Sequence, residues 1–451
     1  MTAVEAHPKA RFSLLRLRNA ALVVVAFAGP CLIGAPAPTL LLVLALLGYL
    51  TPSIRRSFRE RTRNPIDLML LLPVLALSLT FAIAARAPAD LLYLFNFVPL
   101  LMALPYRWQL EGEARHDGLA VLARLALVGA GFALLVGMVQ VFALGISRAG
   151  LYWLNPIQFA DTALLLGFLS ACGAWLPGIK HRWIYLAGPL FGIAATLLSG
   201  TRGAMLAVPV LALLAIVFAV ATARNKKRAL LISGIVAAAT TAVVALPLLY
   251  VALAPGSELA RPITRALSTF QALGDVQGNA KSDTSTRVRM EFLIGGAKAF
   301  AEAPLLGHGW AGMIDAVAPK VPEDLQKRAT EYGHLHNDFL NAAVSAGVIG
   351  ILSYIAILLA PLVAVLATPR DSQFAGRLYM ALTLTLSYLV FGLTNVMLGY
   401  EFHTTLYGFL LMPMLAIGRD PTPRVASNEP RNQVDQPQSA TGKSAVGADT
   451  A

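Results

Sequence analysis

The chain has 451 residues, of which 57% are hydrophobic and only 13% charged, and its mean hydropathy is +0.66. That composition excludes a soluble globular domain and describes a multispanning membrane protein. The formal net charge of +12 does not signal nucleic-acid binding, because Lys and Arg sit in short connections between apolar runs, where they set membrane orientation.

A hydrocarbon core of about 30 Å is crossed by about 20 apolar residues of helix. Runs near 19–35, 38–51, 66–86, 90–105, 119–145, 158–177, 184–200, 204–222, 229–254, 341–367, 378–397 and 404–417 meet or approach this length. They predict an all-α polytopic protein of about 12 transmembrane helices, with the shortest spans at 38–51 and 404–417. Lys9, Arg11, Arg16 and Arg18 precede the first run, and Ala35-Pro36-Ala37 leads straight into the next, which reads as a retained span and not a cleaved leader. Cys31 and Cys172 fall on spans assigned toward opposite faces, so no disulfide is expected.

With the amino terminus cytoplasmic, the inner connections carry Arg55, Arg56, Arg59, Arg61 and Arg63, then Arg107 and Arg115, Lys180 and Arg182, the 224–228 cluster, and Arg370 with Arg377. Short outer connections hold little beyond Arg86, Arg148 and Arg202. By parity the segment 255–340 is a long outer loop between spans one to nine (1–254) and spans ten to twelve (341–418). Its many basic residues do not contradict this, since loops beyond about 60 residues cross largely regardless of charge. Within it, Phe292, Leu293, Ala297, Phe300 and Ala301 recur at helical spacing, predicting a helix over 286–303 stopped by Pro304. Gly274 to Ser285 is polar and glycine-containing, and 419–451 is a polar tail expected to be disordered and cytoplasmic. Neither a solenoid repeat nor a pair of matched halves is evident.

Several residues at the outer boundary carry chemistry. His336 opens His336-Asn337-Asp338-Phe339-Leu340 where the loop gives way to a span. A titratable ring beside arginines at a membrane boundary suits work on a lipid-borne anion, against the plainer reading of an interfacial hydrogen-bonded histidine. His334 and His336 at i and i+2 would share a metal only from extended backbone, and neither His-Glu-x-x-His nor a cysteine pair accompanies them, so no metal is expected. Arg202 lies in the break Ser199-Gly200-Thr201-Arg202-Gly203-Ala204, where it either snorkels or joins exposed backbone donors in a diphosphate cradle. Arg265, Arg287 and Arg289 in the loop either neutralise Asp283, Glu291 and Glu302 or reach a substrate. Gly307-His308-Gly309-Trp310-Ala311-Gly312 fits G-x-G-x-x-G formally, but without a preceding strand it is a glycine turn. Tyr400-Glu401-Phe402-His403 caps the last outer turn, as acceptor-binding groups or as part of an interfacial aromatic belt.

His336-Asn337 followed by Gly347-Val348-Ile349-Gly350 resembles the histidine motif of the O-antigen ligase and polymerase superfamily. The Arg202 break resembles that superfamily's Ser-x-x-Arg-like element. Ser285-Thr286-Arg287 with the following helix and Pro304 to Gly309 resembles its outer loop, with Phe292 where members often carry a tryptophan. The resemblance runs over roughly 185–400. It implies a GT-C-like, metal-independent glycosyltransferase without cofactor at the periplasmic face of the bacterial inner membrane, both termini cytoplasmic. Its reaction would move O-antigen polysaccharide from undecaprenyl diphosphate to the lipid A core oligosaccharide with inversion. The implied roles are His336 as base oriented by Asn337, Arg202 with Arg287, Arg265 or Arg289 holding the diphosphate, and His334, Tyr400 and Glu401 at the acceptor. An O-antigen polymerase and a protein O-oligosaccharyltransferase share this donor chemistry. A lipid-linked sugar flippase or transporter would instead gather its ionisable residues near the bilayer midplane.

Overall fold

The computed structural model describes residues 14–49, 65–110, 117–222 and 284–418, with scattered positions between 227 and 264. All regular secondary structure among the described residues is helical. Hydrocarbon offers no partner for backbone N–H and C=O groups, so an apolar run satisfies them within itself. Among the described residues, eight helical stretches are long and apolar enough to cross a membrane: Pro65–Ala84, Pro88–Leu110, Gly118–Ala143, Pro156–Ala174, Arg182–Ser199, Arg202–Thr222, Asp338–Leu366 and Phe374–Gly392. The chain is therefore an all-α polytopic membrane protein. Most of the predicted span at 229–254, Arg265, most of the 274–285 stretch and the 419–451 tail lie outside the described residues.

In chain order the helices begin with α1 (Leu14–Phe27), α2 (Gly29–Ile33), α3 (Pro36–Tyr49) and α4 (Pro65–Ala84). A 3-10 segment (Pro88–Phe97) leads into α5 (Val98–Leu110), followed by α6 (Gly118–Met138), α7 (Pro156–Ser170), α8 (Ala187–Ser199), the short α9 (Arg202–Met205) and α10 (Ala207–Thr222). Then come α11 (Thr284–Glu302), α12 (Gly309–Val317), α13 (Glu323–Thr330), α14 (Asp338–Leu366), α15 (Phe374–Gly392) and α16 (Glu401–Ala416). Helix α7 is buried at nearly every position. It packs so closely on α8 that a methyl group on Gly192 would lie 2.7 Å from the Ala163 carbonyl oxygen. Lipid tails are as apolar as leucine, so close backbone approach is what holds two such helices together.

Two arginines that charge counting assigns to connections are folded inside. Arg107 is 4% exposed and meets the Asp67 carboxylate at 3.1 Å, while Trp108 Nε1 donates to the same carboxylate at 2.9 Å. Arg377 is fully buried against Asp371 at 2.8 Å and donates to the Gly418 and Pro369 carbonyls. Asp67→Ala removes a counter-charge from a buried guanidinium and is expected to cost about 3–5 kcal/mol, read as a lowered unfolding temperature in detergent.

Helix α14 is broken at Gly347, whose φ of 63° and ψ of −147° interrupt the helical ladder. The turn that follows α11 fills the break: His308 N donates to the Val344 carbonyl at 2.9 Å, and Val348 N donates to the Pro304 carbonyl at 2.8 Å. A side chain at 347 would collide with the Pro304–Leu305 backbone. The glycine spacing after His336 thus serves the seating of the loop on the span. Gly347→Ala combines a left-handed φ with this clash, so a loss of about 2 kcal/mol or more is expected in equilibrium unfolding, with hydrogen exchange in α11 accelerated.

Candidate functional site

The histidine loop is pinned from both sides. Asn337 caps α14, its Oδ1 accepting from Leu340 N at 2.9 Å, while its Nδ2 donates to the Leu393 carbonyl at 3.2 Å. Both side-chain groups of Asn337 are engaged with backbone, so it positions the loop instead of gripping the imidazole. Asp338 accepts from Met397 N at 2.8 Å and Leu398 N at 3.2 Å, and Asn341 Oδ1 accepts from Leu335 N at 2.8 Å. Held this way, His336 adopts a left-handed backbone with φ 52°.

In that conformation His336 N donates to His334 Nδ1 at 3.2 Å, and the two rings stand edge to face with centroids 4.3 Å apart. An accepting Nδ1 fixes the neutral His334 tautomer with its proton on Nε2. Tyr332 stacks edge-on against His336 at 4.8 Å and is itself backed by Phe292 at 5.9 Å. Phe292, fully buried, thus supports the wall behind the imidazole. His336 Nδ1 is enclosed and has no hydrogen-bond partner among the described residues. Burial, then the His334 ring, then the Arg289 guanidinium push His336 down to about 3. Burial first and Arg289 second push His334 down to about 4. Both rings are neutral at ordinary pH, and a neutral imidazole keeps one ring nitrogen able to take a proton.

The structure separates the loop arginines. Arg289, half-buried on α11, acts electrostatically on both histidines. Arg287 is engaged elsewhere, bound through both terminal nitrogens to the Asp324 carboxylate of α13 at 2.7 and 3.3 Å. Arg265 lies outside the described residues.

At the Arg202 break, α8 ends on Gly200 with φ 64°, and Arg202 is the first residue of α9. Ser199 and Thr201 bond to each other at 2.9 Å, and Thr201 Oγ1 also donates to the Pro156 carbonyl at 3.0 Å. Arg148, which reads from the sequence as an ordinary outer charge, donates through Nε to the Ser199 carbonyl at 2.8 Å. A second guanidinium therefore stands at the break. Gly203 lies against Thr394, the neighbour of Leu393, which receives Asn337. The turn 393–400 thus joins the arginine break to the histidine loop. No motif announces this turn, because its partners are distant in the chain, as with Asn395 donating to Asp161 at 3.4 Å.

A cleft of about 520 Å³ is lined by His334, with His336 set behind it against the His334 ring. Its lining brings together His334, Tyr400 and Glu401, along with Tyr93 and Asn96 of the 3-10 segment, Gln158 and Trp310. The last four carry no motif that marks them as site residues in the sequence. Tyr400 is 46% exposed at the rim, whereas His403 is 1% exposed and turned into the core 4.0 Å from Asp161. His403 therefore belongs to neither the cleft nor an interfacial belt. Among the described residues no group of three or more His, Cys, Asp or Glu side chains is arranged to hold a metal ion.

Residues 187–355 match the family described as O-antigen ligase, a stretch that contains Arg202, Arg287, Arg289, His334, His336 and Gly347. An uncharacterized protein of Haemophilus influenzae is 26% identical over 235 residues, covering 50% of this chain and 55% of that protein. The chain thus matches about half the length of this relative.

Proposed function

From membership in the O-antigen ligase/polymerase superfamily, which the match over residues 187–355 supports, we propose that the chain transfers a glycan from a lipid diphosphate to an acceptor hydroxyl at the membrane surface. The superfamily supports an O-antigen ligase or polymerase type of function and a lipid-linked O-antigen substrate. The finer reading is ligation: O-antigen leaves undecaprenyl diphosphate for the lipid A core oligosaccharide, at the periplasmic face of the inner membrane. The observation that carries the transfer chemistry, which ligase and polymerase share, is a neutral His336 ring with an unpartnered nitrogen beside the Arg289 charge.

In the reaction the acceptor hydroxyl oxygen attacks the anomeric carbon as its bond to the diphosphate oxygen breaks. The hydroxyl proton passes to the neutral His336 ring, and the departing diphosphate keeps the bonding electron pair. Negative charge grows on that diphosphate in the transition state, so guanidiniums fixed beforehand lower the barrier. Arg202 and Arg289 take this part, with Arg287 committed to Asp324. Bound diphosphate also opposes the Arg289 field, which raises the basicity of His336 when a base is needed. His334, Tyr400 and Glu401 orient acceptor sugars in the cleft, and one displacement inverts the anomeric centre.

Reconstitution with undecaprenyl-diphosphate-linked polysaccharide and lipid A core tests this reading. Transfer to the core in wild type, lost in His336 and Arg289 variants, is the expected result. Elongation of the donor without transfer to the core assigns a polymerase, and lipid-linked sugar moving across the bilayer without glycan transfer assigns a flippase.

A further inference from the structure

A second cavity, of about 620 Å³, lies at the other end of the bundle and is lined by Asp117, Arg124, Lys180, Tyr185, Ser372 and Gln373, among others. Helix α14 runs from Asp338 beside the histidine loop to Leu366, and α15 returns from Phe374. Ser372 and Gln373 therefore sit a whole span from His336, roughly 40 Å at about 1.5 Å per residue. This cavity has no part in the transfer site.

Its chemistry is that of an anion site. Arg124 and Lys180 bring two cations against the single carboxylate of Asp117, and neither cation makes an ion pair among the described residues. Asp117 and Gln373 are the capping residues of α6 and α15, so the positive ends of two long helices face the same space. Gln373 is held there, its Oε1 accepting from Leu119 N at 3.2 Å and its N–H donating to Asp371 at 3.0 Å. At the same end Arg182 lies over the Trp183 ring at 4.9 Å, and Trp183 is 41% exposed, the pairing of cation and aromatic found where headgroups meet hydrocarbon. An anion reaching this cavity from the bilayer is a lipid phosphate.

We propose that the cavity between Arg124, Lys180 and the amino-terminal ends of α6 and α15 binds the phosphate of an anionic lipid headgroup on the membrane face opposite His336. Arg124 and Lys180 supply charge-assisted hydrogen bonds to the phosphate oxygens.

Native mass spectrometry of the full chain, released from phosphatidylcholine nanodiscs with or without phosphatidylglycerol, tests this. Wild type should retain phosphatidylglycerol, and Arg124→Gln/Lys180→Gln should bind it at least about tenfold more weakly, as expected when charge-assisted contacts are lost. Arg124→Lys/Lys180→Arg should restore retention, which separates lost charge from lost folding. Arg16→Gln/Lys227→Gln, with the same net charge change elsewhere, should bind as wild type does. Equal retention by wild type and the Arg124/Lys180 neutral variant overturns the site, and so does equal weakening in both neutral pairs. Inorganic phosphate displacing the lipid at matching concentration overturns the lipid as its source.

Discussion

His336→Asn is expected to lower the rate of glycan transfer by about 10²- to 10⁴-fold, the usual worth of a positioned general base. Asparagine is the informative replacement because it tolerates the left-handed backbone, φ 52°, that position 336 requires. The loop keeps its path and only the imidazole is lost. The deficit should fall on kcat, with the KM for the lipid-linked donor changed little, since the proton is handed over only in the transition state. Transfer within a few-fold of wild type would remove His336 from the mechanism.

Acid sharpens the same test. His336 and His334 are held down to about 3 and about 4. In the free protein both therefore stay neutral down to about pH 5, and kcat/KM should show no acid limb near the ordinary histidine value of about 6.5. Stability behaves differently, because the unfolded chain takes up these protons below about pH 6.5 while the folded one does not. Folding stability should accordingly fall as pH drops from about 6.5 toward about 4, the sense fixed by the unfolded state binding more protons. His334→Gln/His336→Gln should flatten that slope in thermal unfolding measured across the window.

Arg289→Gln is expected to lower transfer by about 10²- to 10³-fold, as for removal of one fixed donor to a developing anion. Arg287→Gln should change transfer by less than about threefold and stability by about 0–1 kcal/mol, because its pair with Asp324 is exposed. Losing the Arg289 charge should also raise the titration midpoints of both histidines, observable by NMR of selectively labelled imidazoles in the free protein. The reverse ranking of the two arginines would assign the diphosphate to Arg287 and sink the proposed arrangement.

The two arginines show why the site was only half legible. Residues 287 and 289 are two apart on one helix, so at about 100° per residue they point roughly 200° apart. Composition says that both are arginines on an amphipathic segment. The docking of α11 decides that one meets Asp324 while the other acts on the histidines. Similarly, Tyr400, Glu401 and His403 are sequence neighbours at a turn, yet two line the cleft and the third is buried against Asp161.

By itself the sequence determined the solvent and the secondary structure, because apolar runs of spanning length leave the backbone no alternative to helix. It also marked the break at Gly200 before Arg202, where a left-handed φ is a local demand that glycine answers locally. The break at Gly347 lies inside the run expected as one span over 341–367, and the turn from Pro304 to His308 that fills it comes from tertiary docking. Tertiary structure alone decided which charges are buried, which arginine joins the histidines, and which turn ties the arginine break to them. Those outcomes depend on contacts between residues far apart in the chain, such as Asp338 with the 397–398 backbone and Asn337 with Leu393. No local pattern encodes such pairings; they form only when α14, α15 and the outer loop close on one another.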